Sequence, residues 1–425
     1  MNLFGNYRNI KVIICVLMTS IALILRDIVG IDINQYVIFL FMSIFFIVLS
    51  KRDAHLYLAY TCGIIFGVNA YILLIGMLTI ILKDFRQIKK DITFLLFFLI
   101  LFLWEVCNTF LNYSSPEFSV LLLYAAYLLV FFYYFFISKV RPENKDTLLY
   151  YSLGLGVALL IVSIGILRNP MELIFDSNAE SRAAMGFVDN QTRTHFYANA
   201  NTIAYFSIVL LSLVLSLRKS IFKPNALFYS LLIISLLAGV LSTSRTWILL
   251  CIMILITLFL LGSSSTKFKS ILISLAIFVV IVYFFPNFVT VAFDGFRSRF
   301  ELGNIETAGN RTELMKEYSM FMTTHPEYVL QGTGAVYYKS IAQCSNSIHN
   351  AFQQIYVSYG LLGCVFFLLS LFISLRQREP NNSIIYYVPF ISAIMFVQSI
   401  QFLNPFYLMI PIALTSVAFK IRTDI

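Results

Sequence analysis

His55 through Leu82 reads HLYLAYTCGIIFGVNAYILLIGMLTIIL, with Lys51-Arg52 before it and Lys83-Asp84-Phe85-Arg86-Gln87-Ile88-Lys89-Lys90 after it. A bilayer crossing takes about 20 apolar residues, so this run of about 28 is long for one span and short for two. Both flanks are basic, and basic flanks stay on the cytoplasmic side. The segment must therefore go in and return, as a short hairpin or two short helices turning near Gly67–Asn69. Irregular backbone at that depth needs burial in protein or a hydrated cavity.

The rest of the chain extends the pattern. Of 425 residues, 60% are hydrophobic and 12% charged, with a mean hydropathy of +0.85. A soluble domain carries about 25% charged residues, twice this share. Apolar runs near 10–29, 34–50, 92–113, 118–138, 148–168, 202–217, 226–242, 246–262, 270–285, 351–374, 383–402 and 405–419 read as spans. The first lacks a small-residue cleavage site and reads as a span, not a signal peptide. The expected fold is an all-α polytopic membrane protein, one domain over 1–425. It has about 12 transmembrane helices plus the hairpin at 55–82, and both termini are cytoplasmic.

Two loops are then large and outer, 169–201 and 286–350, the second with short helices. The 30 Lys and Arg partition across this topology as eight Arg and twelve Lys inside, eight Arg and two Lys outside. Guanidinium forks suit phosphate oxygens, whereas ammonium is a point charge. An alternative reading of the same skew is that the outer arginines snorkel and pair with carboxylates. The net charge of +9 alternates with the spans, so it indicates no nucleic acid partner. The six cysteines form no disulfide framework, only Cys344 falling in an outer loop.

Chemistry concentrates at few places. His349, in Ser347-Ile348-His349-Asn350, stands where the long outer loop enters a span and can accept a proton from a sugar hydroxyl. Its plainer role is a hydrogen bond at a helix start. Arg245 occupies Ser242-Thr243-Ser244-Arg245-Thr246-Trp247, a turn so short that its helices must pack as a tight hairpin. A guanidinium at that depth needs a partner, an anionic ligand or a carboxylate such as Glu105. Arg193 and His195 precede Asn199-Ala200-Asn201-Thr202, where Asn201 or Thr202 can cap the next helix and leave an anion site at its start. Glu105 lies inside a span and should face the bundle interior, paired with an arginine or protonated. Arg311 opens a helix in the large loop. No HExxH, Asp-x-Asp pair, Cys/His cluster or Walker A run occurs, so neither a metal nor ATP nor another cofactor is expected.

Four elements in order carry a resemblance: Arg193 with Asn199-Ala200-Asn201; Ser244-Arg245-Thr246; Arg311 followed by His325-Pro326 and Gly332-Thr333-Gly334; and His349-Asn350 leading to Gly360-Leu361-Leu362-Gly363. Together they cover about 190–365, and the chain resembles the bacterial O-antigen polymerase (Wzy-type) and O-antigen ligase superfamily. One departure is that Gly186-Phe187 lies upstream of the Asn element, so Arg182 competes with Arg193 for the first arginine role. The resemblance implies a GT-C-like, metal-independent inverting glycosyltransferase in the bacterial inner membrane, using an undecaprenyl-diphosphate-linked oligosaccharide. Arg193, Arg245, Arg311 and Arg182 would bind the diphosphate and His349 would act as base, with His195, Asn350 and Glu105 in support. Polymerase is the first expectation and ligase the second. A flippase or other transporter is the alternative of a different class, and a chain-length regulator is an expected partner beside membrane lipid.

Overall fold

A computed structural model describes residues 10–68, 71–84, 103–112, 144–168, 185–187, 196–216, 226–242, 244–261, 311–344, 348 and 351–376, with isolated positions between 117 and 125 and at 283 and 290. The expected spans at 383–402 and 405–419 lie outside these residues, and that at 270–285 falls almost wholly outside. The described chain is mostly helical. The helices are α1 (Ile10–Leu23, continued by a π-turn Ile24–Val29), α2 (Gln35–Val48), α3 (Lys51–Gly63), α4 (Tyr71–Asp84), α5 (103–112) and α6 (Asn144–Arg168). After them come α7 (Ala200–Ser216), α8 (Ala226–Leu241) and α9 (Arg245–Leu261), then α10 (Arg311–Thr324), α11 (Glu327–Gln331), α12 (Tyr338–Ile341) and α13 (Ala351–Arg376).

Residues 55–82 do break. Ser50 caps α3, its Oγ accepting the Asp53 N–H at 3.3 Å and donating to the Asp53 carboxylate at 2.7 Å. The helix stops at Gly63, a 3-10 turn covers Ile65–Gly67, Val68 is extended, and α4 starts at Tyr71. At about 1.5 Å per residue neither helix reaches across a 30 Å hydrocarbon core. The return is visible at Lys83, whose ammonium donates to the carbonyls of Phe46, Ile47 and Leu49 at 2.7, 2.8 and 2.6 Å. It satisfies the orphan carbonyls at the C-terminus of α2. Lys83, Lys51 and the Arg52–Asp146 pair (3.5 Å) thus share one basic end.

Every residue of α3 from Asp53 to Gly63 is buried. Tyr57 and Tyr60 exchange hydroxyl hydrogen bonds with Thr19 and Ser20 of α1 at 2.6 and 2.7 Å. On its other side α3 meets α6 backbone to backbone. A Cβ on Gly63 would lie 2.4 Å from Leu155 N, and one on Gly154 would lie 2.2 Å from Tyr60 O. Small residues at a helix contact allow that approach.

The outward faces of α1 and α2 are as apolar as the inward ones. Ile14, Leu17, Met18 and Ile21 are exposed, as are Val37, Leu40, Phe41, Ile44 and Ile47. A helix hydrophobic all round is buried in a large core or in lipid. Ile10–Val29 and Asp146–Arg168 are long and apolar enough to cross a membrane. The composition and these faces are those of a membrane protein.

At the far end, opposite Lys83, Arg26 is buried in the π-turn, forks onto Asp27 and donates to Gly67 O at 3.0 Å. Arg168 closes α6 by donating to Ile28 O, with its guanidinium over the Phe187 ring. A short antiparallel pair, β1 (Met185–Gly186) with β2 (Tyr197–Ala198), sits here, and it corrects the all-α expectation locally. α7 then leaves this end. Its cap is Asn199, whose Oδ1 accepts the Thr202 N–H at 2.7 Å, and not Asn201 or Thr202. α8 returns antiparallel, fixed where Ser207 Oγ donates to Ser235 O at 2.6 Å and accepts Trp247 Nε1–H at 2.8 Å.

Candidate functional site

One face of α5 is devoted to a segment more than 220 residues away in sequence. Trp104 Nε1 and Asn108 Nδ2 both donate to Gln331 O, at 2.9 and 2.6 Å, and Asn112 Nδ2 donates to Thr333 O at 3.3 Å. Between them Glu105, fully buried, accepts the Ala335 N–H at 2.7 Å on Oε2 and the Val336 N–H at 3.3 Å on Oε1. The Thr109 and Tyr124 hydroxyls each donate to Oε1 at 3.4 Å. A carboxylate buried in a span is tolerated when its lone pairs are filled in this way. Its partners among the described residues are backbone amides and hydroxyls, and no arginine is one of them.

The other edge of the 331–336 strap docks on α13. Thr333 N and Gly334 N donate to Val357 O and Ser358 O at 2.9 and 2.8 Å. Those carbonyls are free because α13 is broken at Gly360, which has φ 65° and ψ −167° inside the span expected over 351–374. The approach is close enough to require glycine. A Cβ on Gly332 (φ +75°) would lie 2.3 Å from Ser358 O, and one on Gly360 would lie 2.3 Å from Leu330 C. The Gly-x-Gly and Gly-x-x-Gly elements of the sequence are thus two halves of one contact. Its cause, a strap pairing with an interrupted helix, was not visible from either element alone.

Outside the strap the large loop has its own small core of Tyr318, Phe321, Met322, Tyr338, Ile348 and Val357. It joins α10 and α12 to the first half of α13. Gln353 Nε2 donates to Met315 O at 2.7 Å, so the N-terminal ends of α10 and α13 lie side by side. Arg311 opens the first, and His349-Asn350 immediately precede the second. On the loop surface His325 Nδ1 meets Glu327 Oε1 at 3.0 Å. A backbone N–H and that imidazole hold the Glu327 carboxyl below the usual carboxylate range. Burial raises the Cys344 thiol above its usual range, so it is no ready nucleophile.

The expected site residues fall as follows. His349, Asn350, Arg193, Arg182 and His195 lie outside the described residues. Arg245 is the first residue of α9, after a turn in which Ser242 Oγ donates to Gly239 O at 2.6 Å and accepts the Ser244 N–H at 3.4 Å. The hairpin is as tight as its length requires: a Cβ on Gly239 would lie 1.9 Å from the Trp247 indole. The α7–α8 pairing places this turn at the far end, with β2. The side chains of Arg245 and Arg311 are not among the described atoms. Of the eight arginines read as outer, Arg26 and Arg168 hold carboxylate, carbonyl and ring partners of the protein itself. Of the two only Arg26 pairs with a carboxylate, and it does so buried. Among the described residues no group of His, Cys, Asp or Glu could hold a metal ion.

A mostly helical membrane protein whose polar side chains gather under a loop defines the class. Residues 230–368 match the family model described as O-antigen ligase. The match runs from within α8 into α13, less than half of the chain, and supports a likeness to the O-antigen ligase and polymerase superfamily. The match includes Arg245, Arg311, His349 and the whole strap, while Glu105 and the 169–201 loop lie before it. Neither the curated proteins nor the solved structures yield a match.

Proposed function

We propose that the chain is a surface-polysaccharide polymerase of the bacterial inner membrane, joining undecaprenyl-diphosphate-linked repeat units on the outer face. The observation that carries this reading is the Gln353–Met315 contact. Inside the family domain it sets the helix led by Arg311 beside the helix preceded by His349. In glycosyl transfer from a polyprenyl diphosphate, charge develops on the leaving phosphates while the acceptor hydroxyl loses a proton. Arg245 and Arg311, with Arg193 or Arg182 from the 169–201 loop, supply forks to the phosphates. His349 takes the proton, with Asn350 and His195 in support. No metal is required, since the guanidinium groups provide the positive charge. Inversion follows if the acceptor attacks opposite the diphosphate. The far end, with Arg26, Arg168 and the Arg245 turn, is the outer face, and a separate regulator sets chain length.

A second reading is an O-antigen ligase transferring the finished glycan to lipid A core, the activity that the matching family model's description carries. Deleting the gene and resolving the surface polysaccharide on a gel separates the two. Glycan reduced to a single repeat unit supports the polymerase. Full-length polymer retained on its carrier supports the ligase, and an unchanged polymer refutes both.

A further inference from the structure

Gln354 and Ser358 stand one helical turn apart on α13, 1% and 0% exposed, and neither side chain has a hydrogen-bond partner. The Gln354 amide leaves both its donor and its acceptor unmet, and the Ser358 hydroxyl leaves its oxygen unmet. Their surroundings make this unusual. Gln353, the adjacent residue, uses its amide nitrogen to hold Met315 O and Ser319 Oγ at 2.7 and 3.2 Å, whereas neither end of the Gln354 amide is met. Hydroxyls elsewhere in the bundle turn back onto their own helix: Thr19 to Cys15 O, Ser20 to Val16 O, Ser43 to Phe39 O and Thr79 to Ile75 O. Ser358 has the same option toward residue 354 and does not take it. Single hydroxyls at Thr147, Ser152 and Ser163 on α6 and at Tyr205 on α7 are also unmet, but none is paired, one helical turn away, with an unmet carboxamide on its own helix. Burying an amide unpaired is unfavourable, so such a group in a folded protein calls for an explanation.

The position of the pair supplies one. Ile355 and Tyr359 belong to the main core, whereas Val357 belongs to the loop core, and the strap pairs with the carbonyls of Val357 and Ser358. Gln354 and Ser358 therefore face the seam between the two cores, a turn or two below the N-terminal end that His349 precedes. An amide beside a hydroxyl offers donors and acceptors together. A diphosphate at this pH presents acceptors only and would be repelled by the Gln354 carbonyl oxygen. A sugar hydroxyl or acetamido group presents both and can satisfy both side chains at once.

We propose that Gln354 and Ser358 form a glycan subsite, reading a neutral hydroxyl or acetamido group of the sugar next to the reacting centre. This rests on the transferase reading above and adds to it residues that select the sugar. The pair is distinct from the arginines assigned to the diphosphate.

The test exploits opposite signs. Gln354→Met keeps the volume and removes the unmet amide, so as a mere structural burial it should be neutral or stabilising. The variants Gln354→Met and Ser358→Ala are purified beside wild type in lipid nanodiscs. They are assayed for thermal stability and for turnover of the lipid-linked repeat unit extracted from the deletion strain. The expected result is an unfolding temperature at or above wild type together with a KM raised about tenfold, the loss of roughly one hydrogen bond to substrate. Wild-type KM in both variants overturns the subsite while leaving the transferase intact. A loss of stability matching the loss of turnover also overturns it, by showing a structural role. If wild type itself turns over no lipid-linked glycan, the transferase reading falls and the subsite with it.

Discussion

Glu105 Oε2 accepts the Ala335 N–H at 2.7 Å across 230 residues of sequence, and through that contact a membrane helix fixes the strap of the large loop. The strap in turn holds the first half of α13. Glu105→Ala leaves the buried Ala335 N–H without an acceptor, at about 1–3 kcal/mol, and the half-buried Val336 N–H as well, at less. Faster hydrogen exchange at Ala335 and Val336 is expected, together with loss of polymer on a gel. Glu105→Gln retains one acceptor oxygen and should fall between wild type and Glu105→Ala. Unchanged exchange in Glu105→Ala would show that α13 alone holds the strap.

The glycines of the strap contact should rank by clearance. Gly332→Ala and Gly360→Ala each combine a left-handed backbone with a Cβ 2.3 Å from main-chain atoms, so both should fail to accumulate as folded protein. Gly334→Ala places its Cβ 3.5 Å from Glu105 Oε1, an ordinary contact, and bears only the left-handed strain of about 1–2 kcal/mol. Size-exclusion profiles and unfolding temperatures in detergent check the order. Equal behaviour of all three would remove the close approach as the reason for glycine.

Arg245 should act as a fork. If it binds two phosphate oxygens, Arg245→Lys fails nearly as badly as Arg245→Ala, a loss of about 10²–10³ in rate. Polymer length on a gel and turnover of purified protein measure it. Full activity in Arg245→Lys would reduce the residue to a counter-ion.

His349→Ala should remove a general-base contribution of roughly 10²–10⁴ while the protein still reaches the membrane at normal levels. Wild-type polymer from this variant would overturn its assignment as base.

The topology has a labelling test. Relative to the parent chain, Ser298→Cys should gain a label from an impermeant maleimide in intact cells and Ser220→Cys should not. Labelling of Ser220→Cys from outside would invert the assignment of the two ends.

Much of the helical framework was legible, because span length and flanking charge are local quantities. The break within 55–82 followed from two basic flanks, and the Ser244–Thr246 hairpin from a connection too short for anything else. The observed helices Gln35–Val48, Ala226–Leu241 and Arg245–Leu261 lie within a residue or two of the apolar runs. The site was legible in residue types but not in pairing. Glu105 was recognisable as an anomaly in a span, yet its partners are backbone N–H groups, which carry no residue signature. The break at Gly360 was hidden inside an apolar run read as one span over 351–374, because a positive φ has no periodicity to betray it. The cap fell on Asn199 because β2 ends at Ala198 and the helix is capped by the very next residue, a consequence of a two-residue strand that no alternation could signal.

The burial of α3 has a consequence for how the protein is made. Lys51, Arg52, Asp53 and His55 crowd its first five residues, and all of it from Asp53 onward is enclosed by protein. A short helix so charged has little affinity of its own for the lipid interior, so the insertion machinery cannot release it there as an independent span. Its enclosing partner, α6, emerges from the ribosome only after a further 80 residues or more have been synthesised. Residues 51–84 must therefore wait at the membrane surface or within the translocon, and settle only once Gly154 arrives to receive Gly63. Substitutions at those two glycines should accordingly be felt as defects of biogenesis, with the nascent chain degraded before any folded protein exists to be measured.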